Sequence, residues 1–293
     1  MNRFTNLAGT RRNRLRATTG ALLAAATMLS LAACGSSPDS ADAEEAAEGK
    51  TSFIIAAGAD NPLEGGVVSF IADEVAADYG ITIETKELQD SRVMNESLVA
   101  GEIDGNVAVH APFLDIILDG EPSWDLVAAT PIYISLGTLA SAKHDSLDDL
   151  PQGGQVAIPD DPVNGALALN VLQEAGIIEL DPDVEPAAYT VDDIVVNEKE
   201  LTWVPAGAST LARSVEDTDL AFLPTSFLRA SGYDSSVELR TEPFPAEYAI
   251  QLVIRGADAD TEAYAKLIEA FQDPRVADFV DENYGDIAFG IRN

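Results

Sequence analysis

The run Thr51-Ser52-Phe53-Ile54-Ile55-Ala56-Ala57, the loop Gly58 to Pro62, the stretch Glu64 to Tyr79 and then Gly80-Ile81-Thr82-Ile83-Glu84-Thr85 decide the fold. The first segment is short, apolar and β-branched, which suits a strand. Between Glu64 and Tyr79, Val67, Val68, Ile71, Val75 and Ala76 recur at helical spacing, and Gly80 supplies a stop. Ile81 to Thr85 then alternates like a second strand. The unit is β-α-β.

The same grammar continues downstream. A helix is expected over Arg92 to Ala100, a buried strand over Asn106 to Val109, and a helix carrying Phe113, Ile116, Ile117 and Leu118. Such alternation predicts a mostly parallel sheet with helices on both faces. Trp124 to Ala140 is long and apolar, interrupted by Pro131, and reads as two strands leading from one half of the molecule to the other. Beyond it, Gln155 to Ile158 is a strand, and Pro159-Asp160-Asp161-Pro162 opens a helix with Asp161 as N-cap and Pro162 in the first turn. That helix runs to Gly176. Further strands are expected at Leu201 to Val204, Leu220 to Leu223, Val237 to Arg240 and Tyr248 to Ile254, with a helix near Ser209 to Val215. Helices over Thr261 to Phe271 and Pro274 to Tyr284 finish the chain. Two doubly wound α/β halves are the simplest account.

Upstream of this body the composition changes. Arg3, Arg11, Arg12, Arg14 and Arg16 form a basic region without an acid, an Ala- and Leu-rich stretch follows, and Leu31-Ala32-Ala33-Cys34 looks like a bacterial lipobox. Residues 1–33 are therefore expected to be a lipoprotein signal peptide. Cys34, the chain's only cysteine, is then the lipidation site, and 34–50, rich in Ala, Ser, Asp and Glu, is a flexible tether. This places the protein at the cell membrane, lipid-anchored on the extracytoplasmic face. With the cysteine acylated no disulfide can form, so the fold stands on its core. The 50 acids outnumber the 17 bases for a formal charge of −33. Such a surface repels phosphate backbones, and nucleic acid is excluded as a partner.

Four segments are more specific than the pattern. Gly101-Glu102-Ile103-Asp104-Gly105-Asn106, His110-Ala111-Pro112-Phe113-Leu114-Asp115, Val156-Ala157-Ile158-Pro159-Asp160-Asp161-Pro162-Val163-Asn164 and Arg213-Ser214-Val215-Glu216-Asp217 stand in the order and spacing of the methionine-uptake lipoproteins. From about Ser52 to its end, the chain resembles the NLPA lipoprotein family. The resemblance implies a two-lobed, periplasmic-binding-protein-like (type II) fold, each lobe a doubly wound, mostly parallel sheet. One lobe would hold 51–136 and 243–293, the other 137–242. It further implies a solute-binding lipoprotein that delivers methionine or another amino-acid-like molecule to an ABC permease and its ATPase, with no cofactor.

The ligand contacts carried over by that resemblance are altered. The arginine that clamps the amino-acid carboxylate in the family corresponds to Leu167, two asparagines correspond to Pro224 and Ile250, with Gln251 beside the latter, and the aromatic pair that cradles the side chain corresponds to Ser91 and Ala108. His110 is retained, and the tyrosine three residues later becomes Phe113. Asn164 and Tyr248 complete the candidate site, and Arg92, next to Ser91, is the candidate to restore the lost positive charge. A buried carboxylate deprived of its guanidinium costs about 3 to 5 kcal/mol, two to three decades in affinity. A receptor for a less polar or non-amino-acid solute is the alternative, and a surface interaction lipoprotein with a degenerate pocket is the third reading.

Enzyme chemistry finds no support. There is no Gly-x-Ser-x-Gly elbow, no phosphate-cradling glycine fingerprint, and only His110 and His144 as histidines for a metal. Asp148-Asp149, Asp160-Asp161 and Asp192-Asp193 fall where turns and helix starts are expected, so charged caps explain them.

Overall fold

The structure, a computed structural model, describes residues 49–59 and 61–292. The expected signal peptide, Cys34 and nearly all of the tether lie outside the described residues.

The deciding stretch forms β1 (Ser52–Gly58), α1 (Pro62–Phe70) and β2 (Thr82–Leu88), with β1 and β2 parallel and Phe53 opposite Ile83. Phe53, Ile55 and Ala57 pack with Val67, Val68 and Ile71 of the helical segment, while Ala56 joins Met94, Leu98 and Val109 on the opposite side. Burial on both faces is why β1 reads as a continuous apolar run. The expected single helix to Tyr79 is composite: α1 passes into a π turn, Ile71–Val75, and a 3-10 turn, Ala76–Tyr79. Gly80 ends it at φ 71°, a left-handed conformation that glycine adopts without a Cβ penalty, and the amides of Gly80 and Ile81 return to the carbonyls of Ala77 and Ala76.

The chain continues through α2 (Ser91–Val99), β3 (Gly105–His110), α3 (Ala111–Gly120) and β4 (Leu126–Ala140). Next come β5 (Gln155–Pro159), α4 (Pro162–Glu174), the short antiparallel pair β6 (Glu179–Leu180) and β7 (Ile194–Val196), β8 (Thr202–Ala206), α5 (Ala208–Asp217) and β9 (Leu220–Pro224). After α6 (Thr225–Ala230) and β10 (Glu238–Pro243), the chain ends with β11 (Ile250–Arg255), α7 (Glu262–Phe271), α8 (Pro274–Tyr284) and β12 (Ala288–Gly290). The main sheet runs β2-β1-β3-β11-β4-β9-β5-β8, with β10 and β12 also paired to β4. Its two ends, β2-β1-β3 and β9-β5-β8, are parallel blocks, and the strands around β4 are antiparallel to it. Helices cover both faces of each block, so the fold is mixed α/β as expected.

Two boundaries differ from the sequence reading. Trp124 to Ala140 contains one 15-residue strand, not two. Pro131 is tolerated because the register of β11 shifts between Ile250 and Gln251, beside the place where Gln251 opposes it, and such an irregularity absorbs a missing ladder donor. Tyr248 lies in a 3-10 turn, Ala246–Tyr248, ahead of β11 instead of within it.

β4 is the element common to both halves. Its first part pairs with β11, and its last residues, Gly137 to Ala140, pair with β9. The apolar clusters divide at the same place. Ile132 and Tyr133 pack with β1 and the C-terminal helices, whereas Leu139 packs with β5, α4 and Phe222. At the crossing, a Cβ on Gly137 would collide with the ring of Phe244, so the glycine leaves room for that ring to pack directly on the β4 backbone. The Thr138 hydroxyl lies 2.6 Å from that of Thr225 and 3.0 Å from that of Thr241, and Thr225 donates to Leu136 O. These buried hydroxyls satisfy one another. No helix among the described residues is long and apolar enough to cross a membrane.

Candidate ligand-binding site

A cavity of about 360 Å³ lies beyond the carboxyl ends of β1, β3, β5 and β9, the position at which open α/β sheets take their ligands. Its volume suits a small organic molecule. One side is built from Gly58, Asn61 and Glu64 at the β1–α1 junction, Ser91 and Met94 of α2, Ala108 and His110 at the end of β3, and Phe113 of α3. Tyr133 and Ser135 of β4 form the floor. The other side comes from Asp160, Asp161 and Asn164 at the start of α4, Phe222 and Pro224 of β9, and Ser226 and Phe227 of α6, with Phe244, Tyr248 and Ile250 closing it. Apolar side chains dominate, and among the described residues neither lysine nor arginine lines the cavity.

His110 joins the two sides. It is the N-cap of α3: Nδ1 accepts the Phe113 amide at 3.2 Å, which leaves the proton on Nε2 to donate to Asn164 Oδ1 at 3.1 Å. Asn164 Nδ2 in turn donates to both oxygens of Asp161, the N-cap of α4, at 3.1 and 3.0 Å. Every atom in this chain has a role that fixes the tautomer and the amide orientation together. Burial pushes the His110 pKa down, against the opposing pull of Asn164 and Asp161, so the ring is neutral at pH 7. Tyr248 packs edge-on against it, ring centroids 5.0 Å apart. His110 caps a helix, as the sequence suggests, and also lies on the cavity wall, because its two nitrogens point in different directions.

Of the residues singled out from the sequence, Ser91, Ala108, His110, Phe113, Asn164, Pro224, Tyr248 and Ile250 are brought together around the cavity. Arg92, Leu167 and Gln251 are not. Arg92, one residue beyond Ser91 and so turned about a quarter of the helix circumference away, has a side chain 73% exposed and pairs with Glu96 at 2.8 Å and Glu121 at 3.7 Å. It does not replace a clamping arginine. Leu167 is 2% exposed and packs in the apolar cluster of α4 with Leu139, Val156 and Phe222. Gln251 points to the other face of β11 from Ile250, as neighbours on a strand must, and its side chain returns to Ala249 O at 3.0 Å. Glu64 and Asn61 were missed by sequence reasoning. Their only signal is an Asn at an N-cap with a Glu three residues later, which announces a helix start and nothing more.

A family model described as NlpA lipoprotein matches residues 55–289. The chain belongs to the NlpA lipoprotein family. Among NlpA relatives, the D-methionine-binding lipoprotein MetQ of Escherichia coli K12 is 34% identical over 213 residues, covering 71% of this chain and 78% of its own length. The probable D-methionine-binding lipoprotein MetQ of Vibrio cholerae is 32% identical over 267 residues, 89% of this chain and 93% of its own. A solved nutrient-binding protein from Burkholderia cenocepacia, bound to methionine, superposes with a TM-score of 0.71 at 30% identity, covering 82% of this chain and 99% of that one. The first two are named for D-methionine, and the third was solved with methionine bound. The family is one of lipoproteins, and its fold is the one described above.

Proposed function

We propose that this NlpA-family protein is a membrane-anchored, extracytoplasmic receptor that encloses a small organic solute between two lobes and delivers it to an ABC permease driven by its ATPase. The lobes are 51–136 with 243–293, and 137–242, and Cys34 carries the lipid. The observation that carries the reading is the His110–Asn164 hydrogen bond across a largely apolar cavity at the strand ends, with β4 passing from one side to the other. Methionine-binding relatives support the same class of cargo. A solute touching both walls adds its differential affinity to the closed arrangement and shifts the population toward it. The closed form is what the permease would meet.

A thermal-shift screen of the ligand-stripped protein, truncated before residue 49, against amino acids, methionine sulfoxides, amines, short peptides, vitamins and sulfonates tests this. A solute at 100 times its dissociation constant adds about 2.7 kcal/mol, which is readily detected. A complete lack of saturable binding would leave the degenerate, surface-interaction reading in its place.

Asn164→Ala is expected to weaken any bound solute by a few-fold to about tenfold, the net worth of one hydrogen bond of about 0.5–1.5 kcal/mol that favours closure. Titration calorimetry on the variant gives the factor. An increase in radius of gyration by small-angle scattering should accompany it, and unchanged affinity would remove the bridge from the mechanism.

A further inference from the structure

The polar lining of the cavity carries one sign of charge. Among the described residues Glu64, Asp90, Asp160 and Asp161 face it, and no lysine or arginine does. Glu64 is 6% exposed, and among the described residues no cation pairs with it. A glutamate three residues after an N-cap ordinarily reaches back to the cap's own amide. This one instead accepts the Gly58 amide and Asn61 Nδ2, each at 2.7 Å, which holds the β1–α1 turn with both side chains at the cavity wall. Asn61, 7% exposed, has its amide nitrogen committed to Glu64, and its Oδ1 is buried with no partner. Glu64 is thus hydrogen-bonded but has no cation, and beside it Asn61 Oδ1 is a buried acceptor with no partner among the described residues.

At two of the helix starts on the cavity, those of α3 and α4, the amides that would welcome a ligand carboxylate are already engaged. Asp161 accepts the Asn164 amide at the start of α4 at 2.8 Å, and His110 accepts the Phe113 amide at the start of α3. Helix N-termini bind anions through such amides, and at α3 and α4 the chain's own side chains take them, while at the uncapped start of α1 the Glu64 carboxylate already stands in the first turn. An added carboxylate would meet four others and no guanidinium.

We propose that the solute is an organic cation, a primary amine on an apolar body without a carboxylate, its ammonium held between the Glu64 carboxylate and Asn61 Oδ1. This rests on the receptor reading above and narrows it. Met94, Phe113, Phe222, Phe227 and Ile250 supply the apolar walls. Three ammonium protons match the available acceptors, and the opposite charge offsets the desolvation cost of the buried Glu64 carboxylate.

Four matched probes separate the contributions: methionine, methionine methyl ester, methylthiopropylamine and methylthiopropionate. By titration calorimetry at pH 7.5 the ester and the amine are expected to bind more tightly than methionine, and methylthiopropionate not at all. Glu64→Gln should weaken the amine by about tenfold to a hundredfold, the worth of a charge-assisted hydrogen bond. The Gln amide can donate to Asn61 once that side chain turns over, so the variant keeps a paired turn.

A second reading uses the unaltered protein. Burial pushes the Glu64 pKa up to about 7, against the lowering pull of Gly58 and Asn61. An alkylamine stays protonated to near pH 10. Amine affinity should therefore rise as pH increases from 6 to 8 and then level. The other titratable or charged groups on the cavity are Asp90, His110, Tyr133, Asp160, Asp161 and Tyr248; His110 is held neutral and both tyrosines are pushed upward by burial. The ligand-free Glu64→Gln variant should melt higher than the parent at pH 8, since it lacks an ionised buried group. A Glu64 with only a structural role would make it melt lower. Methionine or methylthiopropionate binding as tightly as the amine, or equal amine affinity in Glu64→Gln, overturns the proposal and leaves a solute receptor standing. No saturable binding by any probe or any solute in the wider screen overturns both.

Discussion

Asp104→Ala is expected to lower stability by about 3 kcal/mol, the cost of breaking a buried ion pair, and the melting temperature by about 6 to 12 °C for a chain of this size. Asp104 sits just before β3, almost fully buried, and its Oδ2 accepts the Ile54 amide of β1 at 2.9 Å. Its Oδ1 lies 2.8 Å from Lys50 Nζ and 3.4 Å from both Arg255 and the Tyr264 hydroxyl. Arg255 is engaged further: it donates to the carbonyls of Leu98 and Ile103 and pairs with Asp258 at 2.6 Å. The network ties β1, α2, β11 and α7 together. Truncation leaves the Ile54 amide without an acceptor, which alone costs about 1–3 kcal/mol, and removes one of two carboxylates from a guanidinium that stays largely buried. Asp104→Asn keeps an acceptor for Ile54 while losing the charge, so the difference between the two variants in thermal or denaturant unfolding separates the hydrogen bond from the ion pair. A loss below about 1 kcal/mol in the alanine variant would mean that Arg255 is carried by Asp258 and the carbonyls alone.

Leu167→Arg should abolish the folded state, not restore an amino-acid clamp. The sequence resemblance leads one to expect Leu167 in the place of a carboxylate-gripping arginine, and the simple repair would be to put one back. The side chain faces the interior of its half, however, packed with Leu139, Val156 and Phe222. Overpacking there costs about 1–3 kcal/mol, and an unpaired buried charge several more. Together these approach the whole stability of an ordinary domain, about 5–15 kcal/mol. Soluble yield and circular dichroism report the outcome, with methionine titration of whatever folds. A folded Leu167→Arg that gains methionine affinity would show that α4 can turn its other face to the cavity.

The contrast between Leu167 and its neighbours shows how far the sequence carries. Strand and helix existence was legible because β1, β5 and β9 are buried on both faces and write continuous apolar runs, while Gly80, Asp161 and Pro162 punctuate the helices. Periodicity fails in α4, where Val163, Ala166, Leu167, Ala168, Leu169, Val171 and Leu172 are all buried. A helix enclosed nearly all round has no amphipathic stripe to say which side meets a ligand. Ile250 and Gln251 illustrate the opposite limit. Strand alternation guarantees that only one of the two can line the cavity, but the sequence does not say which. Glu64 was invisible for another reason. In a chain with 50 acids, one more carboxylate carries no signal until its burial is seen.

The place of β11 bears on how the chain is put together. β3 and β4 are neighbours in sequence, yet β11 lies between them in the sheet, with Ile250 opposite both His110 and Tyr133. Residues 52–140 leave the ribosome long before residues 250–255, so the early strands must wait with an open slot at their centre. The intervening segment, with β5, α4, β8, α5 and β9 close together in sequence, can condense meanwhile on local contacts. The last fifth of the polypeptide is thus the wedge that completes a sheet begun in the first half. During synthesis the sheet remains unfinished and open to edge pairing until β11 arrives.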